Sequence, residues 1–149
     1  MEVLMLKVQS EKVAKHWNNL KILIDRVLPE CRDHETRMNC ILESLLVDRL
    51  ELFQFVYKDG NDYRIVAFVI LSKLSSIDGT DSNMLVYAIN SYTNVGREII
   101  MQGWKLIVKY AKSVGCNAVV AYSDSDSVIK FLEKFGADVS QRYIRMEVD

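Results

Sequence analysis

The chain has 149 residues, a formal net charge of −1, and 50% hydrophobic residues, a balance that fits one globular domain with a real core. Acidic and basic residues are interspersed, so no basic face marks a nucleic-acid partner. No stretch approaches the roughly 18 apolar residues of a membrane helix, and six glycines and one proline leave little room for linker.

The opening MEVLMLKVQS carries an acid at position 2 and no long apolar run, unlike a signal peptide. A cytoplasmic, non-secreted protein is expected. Cys31, Cys40 and Cys116 lie far apart, without zinc-like spacing, and read as buried, reduced thiols.

In chain order, Val3 to Val8 is a short apolar run that predicts a first strand. Ser10 is placed to cap a helix, whose apolar face is Val13, Trp17, Leu20, Ile24 and Val27, ended by Pro29. Asp33 starts a second helix that buries Met38, Ile41, Leu42, Leu45 and Leu46 and fades near Asp48. Leu50 to Tyr57 and Tyr63 to Leu74 read as strands joined by a hairpin turn over Lys58–Asp62, with its Asp-Gly pair. The run Ile65 to Leu71 is apolar at every position, which places it mid-sheet. Met84 to Ile89 is another central strand.

Arg97 to Val114 is the longest predicted helix, with Ile100, Trp104, Ile107, Val108, Ala111 and Val114 on one face and Gly115 as its stop. Ala118 to Tyr122 is a strand, and Ser123–Asp126 supplies turn and cap groups. Val128, Phe131, Leu132 and Phe135 face inward on a last helix closed by Gly136. Ile144, Met146 and Val148 alternate with Arg145 and Glu147, which predicts a final antiparallel strand with one wet face. The order is β-α-α-β-β-β-α-β-α-β in a single domain over residues 1–149, an α/β (α+β) class with helices on both faces of a mixed sheet.

That order, with Ala111-Lys112-Ser113-Val114-Gly115 before one strand and Phe131-Leu132-Glu133-Lys134-Phe135-Gly136 near the end, resembles the GNAT superfamily of N-acetyltransferases. The resemblance implies an acetyl-CoA cleft where two parallel strands, here Met84–Ile89 and Ala118–Tyr122, splay apart. It also implies a pyrophosphate loop of the form Gln/Arg-x-x-Gly-x-Gly/Ala opening the following helix. Free amides and the helix dipole attract an anion there, and glycines let phosphate approach the backbone. Counted back from Ala111 and Gly115, the Gln/Arg position falls on Val95 and the glycine positions on Glu98 and Ile100. Gly96 is the one glycine nearby, and Arg97 is a candidate phosphate ligand. If acetyl-CoA binds, the residues that hold it are Val95, Gly96, Arg97 and Glu98.

The tyrosine that the family places on its last helix to protonate the leaving thiolate is replaced by Leu132. Ser125 stands at the helix cap. Glu43, Glu51 and Glu98 are the acids that could serve as a base, although a surface carboxylate is the plainer reading of each. Tyr122 and Tyr143 are near in sequence. His16 and His34 are isolated, so neither a metal nor a histidine mechanism is expected. Trp17 and Trp104 read as core or interface residues, and Asp124 and Asp126 as turn and cap groups.

Trp104, Ala111, Lys112, Gly115 and Cys116 also look like a pattern in small GNAT-like proteins encoded by tailed phages. The expected function is a GNAT-fold protein with a degenerate acetyl-CoA loop, non-catalytic and without cofactor. It would act in binding or structure through a protein partner or self-association, in a virion or the host cytoplasm. The alternative is an active acetyl-CoA-dependent N-acetyltransferase acting on an amine.

Overall fold

The structure is a computed structural model that describes residues 2–148. Strand β1 (Glu2–Lys7) leads into helices α1 (Ser10–Lys15), α2 (Trp17–Val27) and α3 (His34–Leu46). Strands β2 (Glu51–Asp59), β3 (Asp62–Ser75) and β4 (Ser82–Ser91) follow, then α4 (Arg97–Ser113), β5 (Ala118–Ala121) and α5 (Asp126–Glu133). The sheet runs β1-β2-β3-β4-β5, antiparallel up to β4, with β5 parallel to β4.

Alternation along the strands builds a core on each face of the sheet. Phe53, Phe55, Val69, Leu71 and Met84 point to the α4 side and pack with Ile107 and Ala111. Leu52, Phe68 and Ile70 point the other way and pack with Val13, Ile24, Met38 and Ile41. The two-sided apolar run predicted for β3 is therefore used on both sides, with Val69 and Ile70 fully buried. Gly60 turns the β2–β3 hairpin with φ 62. The β3–β4 loop is organised by Asp78, whose carboxylate accepts from the Ser76 and Thr80 hydroxyls and the Thr80 amide. These bonds, the Ser76 hydroxyl first, hold its pKa down at about 2.

Several predicted details are corrected. The first helix is two helices, broken at His16 (φ −105, ψ 15), and the break brings Val13 and Ile24 into the same core, each 1% exposed. Gln9, not Ser10, is the N-cap, and no side chain caps that end. Leu46 is 40% exposed. None of the three thiols is buried; Cys40 is exposed and the other two are intermediate.

In α4 the inward face is Ile99, Gly103, Ile107 and Ala111, while Ile100 and Val108 are 44% and 46% exposed. The reason is Gly103, which a hydropathy pattern does not count. Its missing side chain lets α4 settle on Phe55, where an added Cβ would lie 3.4 Å from the ring. On α5, Val128 is 43% exposed and none of the helix's residues is fully buried.

The predicted last strand is absent. Residues 138–148 form no strand, and Ile144, Met146 and Val148 are 87%, 87% and 92% exposed. Alternation fits a strand only where a neighbour fixes its register, and β5 is four residues long.

Candidate acetyl-CoA cleft

Strands β4 and β5 pair over four residues, from Asn83↔Ala118 to Val86↔Ala121. Beyond that point β4 runs on to Ser91, while β5 ends at Ala121 and its backbone leaves the sheet at Tyr122. The divergence has a local cause. Ile70 pairs with Ala88 and Leu71 with Val86, so Tyr87 is an extra residue in β4, a bulge that bends the strand where β5 ends.

Helix α4 runs back along this opening. Its Gly103 rests on Phe55, in the strand row of Ala67 and Ser91, at the far end of β4. Its C-terminal carbonyl, at Val114, accepts from Lys73 Nζ, beside the start of β4. The N-terminus of α4 therefore faces the splayed end of the sheet.

Gly96 is the N-cap, with φ −68 and ψ 159 and no side-chain cap. Its carbonyl accepts from the amides of Ile99 and Ile100 at 3.1 and 3.2 Å. The amides of Arg97 and Glu98 are the helix's first two and have no carbonyl one turn earlier within it. A Cβ built on Gly96 would meet nothing within 4 Å, so the backbone there is approachable. Val95 packs against the α4-side core, and the side chains of Arg97 and Glu98 are exposed. The structure thus brings the four predicted residues together at the mouth of the splay. Bare backbone and free amides there suit an anion. The Glu98 carboxylate opposes one, and Ile100 is 44% exposed.

Of the predicted acids only Glu98 lies at this place. Glu43 is exposed on α3. Glu51 accepts from the Tyr110 hydroxyl at 2.7 Å and from Lys7 Nζ at 3.2 Å. Tyr110 lies thirteen residues along α4 from Arg97, about 20 Å at 1.5 Å per residue. Burial and the Glu51 carboxylate both push the Tyr110 phenol well above its usual range. Glu51 is an anchor between β2 and α4, and Lys7, which also meets Asp48 at 3.0 Å, completes that anchor. Leu132 is half-buried on α5. Ser125 caps α5 without a side-chain bond to the backbone, because its hydroxyl sits 3.1 Å from that of Ser127. Trp17 and Trp104 are partly buried against the two cores.

The structure adds two aromatic pairings that sequence reasoning did not give. Tyr122, the first residue past β5, has its ring 5.3 Å from that of Tyr143, and both are exposed. Tyr92 extends β4 by donating its amide to Val66 O and lies 5.8 Å from the Phe68 ring. Partial burial raises its phenol pKa. Neither pairing has a signature in local spacing. His34, read as isolated, has carboxylates on both ring nitrogens, Asp25 and Glu30. Glu30, four residues earlier, was the one legible clue. Among the described residues no group of three or more His, Cys, Asp or Glu could hold a metal ion, and no helix is long and apolar enough to cross a membrane.

This architecture matches that of many solved proteins. A Pyrococcus furiosus protein assigned provisionally as an acetyl transferase is 15% identical, with a TM-score of 0.69 over 99% of this chain and 100% of that one. The chain has the GNAT fold. A predicted acetyltransferase from Clostridium acetobutylicum, solved with acetyl-CoA, is 11% identical with a TM-score of 0.67 over 98% and 96% of the two chains. The aminoglycoside acetyltransferase HMB0005, from an uncultured soil metagenomic sample, is 14% identical with a TM-score of 0.67 over the whole of both chains. No family model and no curated protein matches the sequence. At such identities the likeness speaks for the GNAT fold alone, an acetyltransferase-like scaffold.

Proposed function

We propose that the chain is a GNAT-fold binding or structural component whose acetyl-CoA loop is degenerate and which turns over no acetyl-CoA. The observation that carries this reading is the first turn of α4. It offers a single bare position, Gly96, followed by an exposed carboxylate at Glu98 and a branched side chain at Ile100. A diphosphate laid on the Arg97 and Glu98 amides would meet the Glu98 charge at close range. Leu132 has no proton to give a leaving thiolate, and Glu51, the best-held acid, is committed to Tyr110 and Lys7. Partners would be proteins or further copies of this chain. The phage-like pattern around Trp104 and Gly115 makes a virion or assembly role in an infected cell the setting we favour.

An N-acetyltransferase is the second reading, and the bulged, splayed β4–β5 pair favours it. The acetyl-CoA held by the Clostridium neighbour supports the same alternative. In that case Val95, Gly96, Arg97 and Glu98 would hold the pyrophosphate, and acetyl-CoA would supply the thioester that an amine attacks.

Thermal unfolding with and without millimolar acetyl-CoA separates the two. Saturating ligand at a hundredfold excess over Kd would stabilise the native state by about 2.7 kcal/mol. The binding reading expects no shift in the wild type and a shift that appears on Glu98→Gly. A clear shift in the wild type, with acetyl transfer to an amine, overturns it.

A further inference from the structure

We propose that His34 is a pH-operated latch that fastens the connector between α2 and α3 to the helices on either side. His34 is the first residue of α3. Its Nδ1 lies 3.0 Å from both carboxylate oxygens of Asp25 on α2. Its Nε2 lies 3.2 Å from Glu30 Oε2 in the connector. Carboxylates only accept, so both contacts are hydrogen bonds when both ring nitrogens carry protons, which is the imidazolium. A neutral ring keeps one proton and turns a lone pair on one of the two carboxylates.

The rest of the surroundings decides which contact gives way. Arg37 on α3 donates to Asp25 Oδ1 at 2.8 Å and also to the Pro29 carbonyl, so Asp25 stays held without His34. Glu30 has no such second tie and is 92% exposed. Loss of the proton therefore frees Glu30 and the connector beyond Pro29, which Arg37 still holds, while the Nδ1–Asp25 bond survives in one tautomer. Other charges face the same place. Lys21 and Arg26 on α2 and Glu35 on α3 line the adjoining groove of about 470 Å³, and Asp33 is the N-cap beside the ring. The helix N-terminus and the cations oppose the imidazolium, whereas Asp25, Glu30, Asp33 and Glu35 favour it. The Asp25 bond, then the Glu30 bond, holds the pKa above the ordinary imidazole value. A raised value means the latch is complete below about pH 6.5, the unfolded value, and opens as pH rises through the folded one.

The test is an NMR titration of the His34 ring, together with backbone heteronuclear NOEs across residues 30–33 at about pH 5.5 and about pH 8.5. In the wild type the ring should titrate above the ordinary value, and the connector should be more ordered at the lower pH. Asp25→Asn should lower the midpoint most and Glu30→Gln less. His34→Gln should leave the connector loose at both pH values. Equal connector order at both pH values in the wild type would overturn the latch. So would a midpoint unmoved by Glu30→Gln, a surface change that leaves the fold intact even if Asp25→Asn does not.

Discussion

The chain up to Ala111 and the chain after it use the same kinds of residue and end differently. Among the described residues, every buried one lies between Val3 and Ala111. After Ala111 come Val119, Val120, Ile129, Phe131, Leu132 and Phe135, which are apolar and patterned as well as any before, yet none is fully buried. The first region has four antiparallel strands with helices on both faces, so each apolar stripe meets another. The second has a four-residue edge strand and one helix, α5. Its Phe131 and Phe135 rings pack on each other at 4.9 Å but do not enter the core. Amphipathic pattern supplies a face; stability comes when a second face covers it, at roughly 1.5–3 kcal/mol per large side chain. The candidate cleft lies on the seam between these regions.

The sharpest test of that contrast is a pair of truncations. Ile107, fully buried on α4, should cost about 2–5 kcal/mol as Ile107→Ala in urea unfolding. Leu132→Ala on α5 should cost less than about 1 kcal/mol, as for a half-exposed site. Similar losses would show that the C-terminal region is packed as firmly as the rest.

The two helix stops give the next largest effect. Gly115 has φ 85 and closes α4, with the Gly115 and Cys116 amides donating to Lys112 and Ala111 carbonyls. Gly115→Ala should cost about 1–2 kcal/mol of global stability, because an L residue is strained there. Gly136, φ 88, closes α5 in the same way. Gly136→Ala should instead appear as faster amide exchange confined to α5, with the global midpoint unmoved.

The smallest effect compares caps. Asp33 accepts from the Thr36 amide at 3.0 Å and the Thr36 hydroxyl at 2.6 Å, and these bonds, the hydroxyl first, lower its pKa. Its contribution is present above the ordinary carboxylate pKa and is lost as pH falls through the lowered value. Asp33→Ala should therefore lower the unfolding midpoint measurably at neutral pH and less in acid. Ser125→Ala, which removes a hydroxyl bonded only to Ser127, should lower it less at either pH.

Much of the fold was legible because local rules held where they met no competitor. The Asp-Gly hairpin, Asp33 as a cap, Gly115 as a stop and the two-sided run of β3 all appear where expected. The start of α4 at Gly96 and Arg97 could be placed within a residue or two, since a helix fixes its own spacing. The bulge at Tyr87 could not, because it is a mismatch between β3 and β4 that neither strand carries alone. Nor could the inward turn of α4, set by Phe55 reaching Gly103 across 48 positions of sequence.

By itself the sequence determined most of the elements from β1 to α5 and where α4 begins, since propensity, capping and periodicity act within a few residues. The tertiary structure alone decided which faces are covered, that residues 138–148 form no strand, and that Glu51 and His34 have partners. Those outcomes depend on groups that meet through space, and a free edge or a carboxylate finds its partner only when the layers come together.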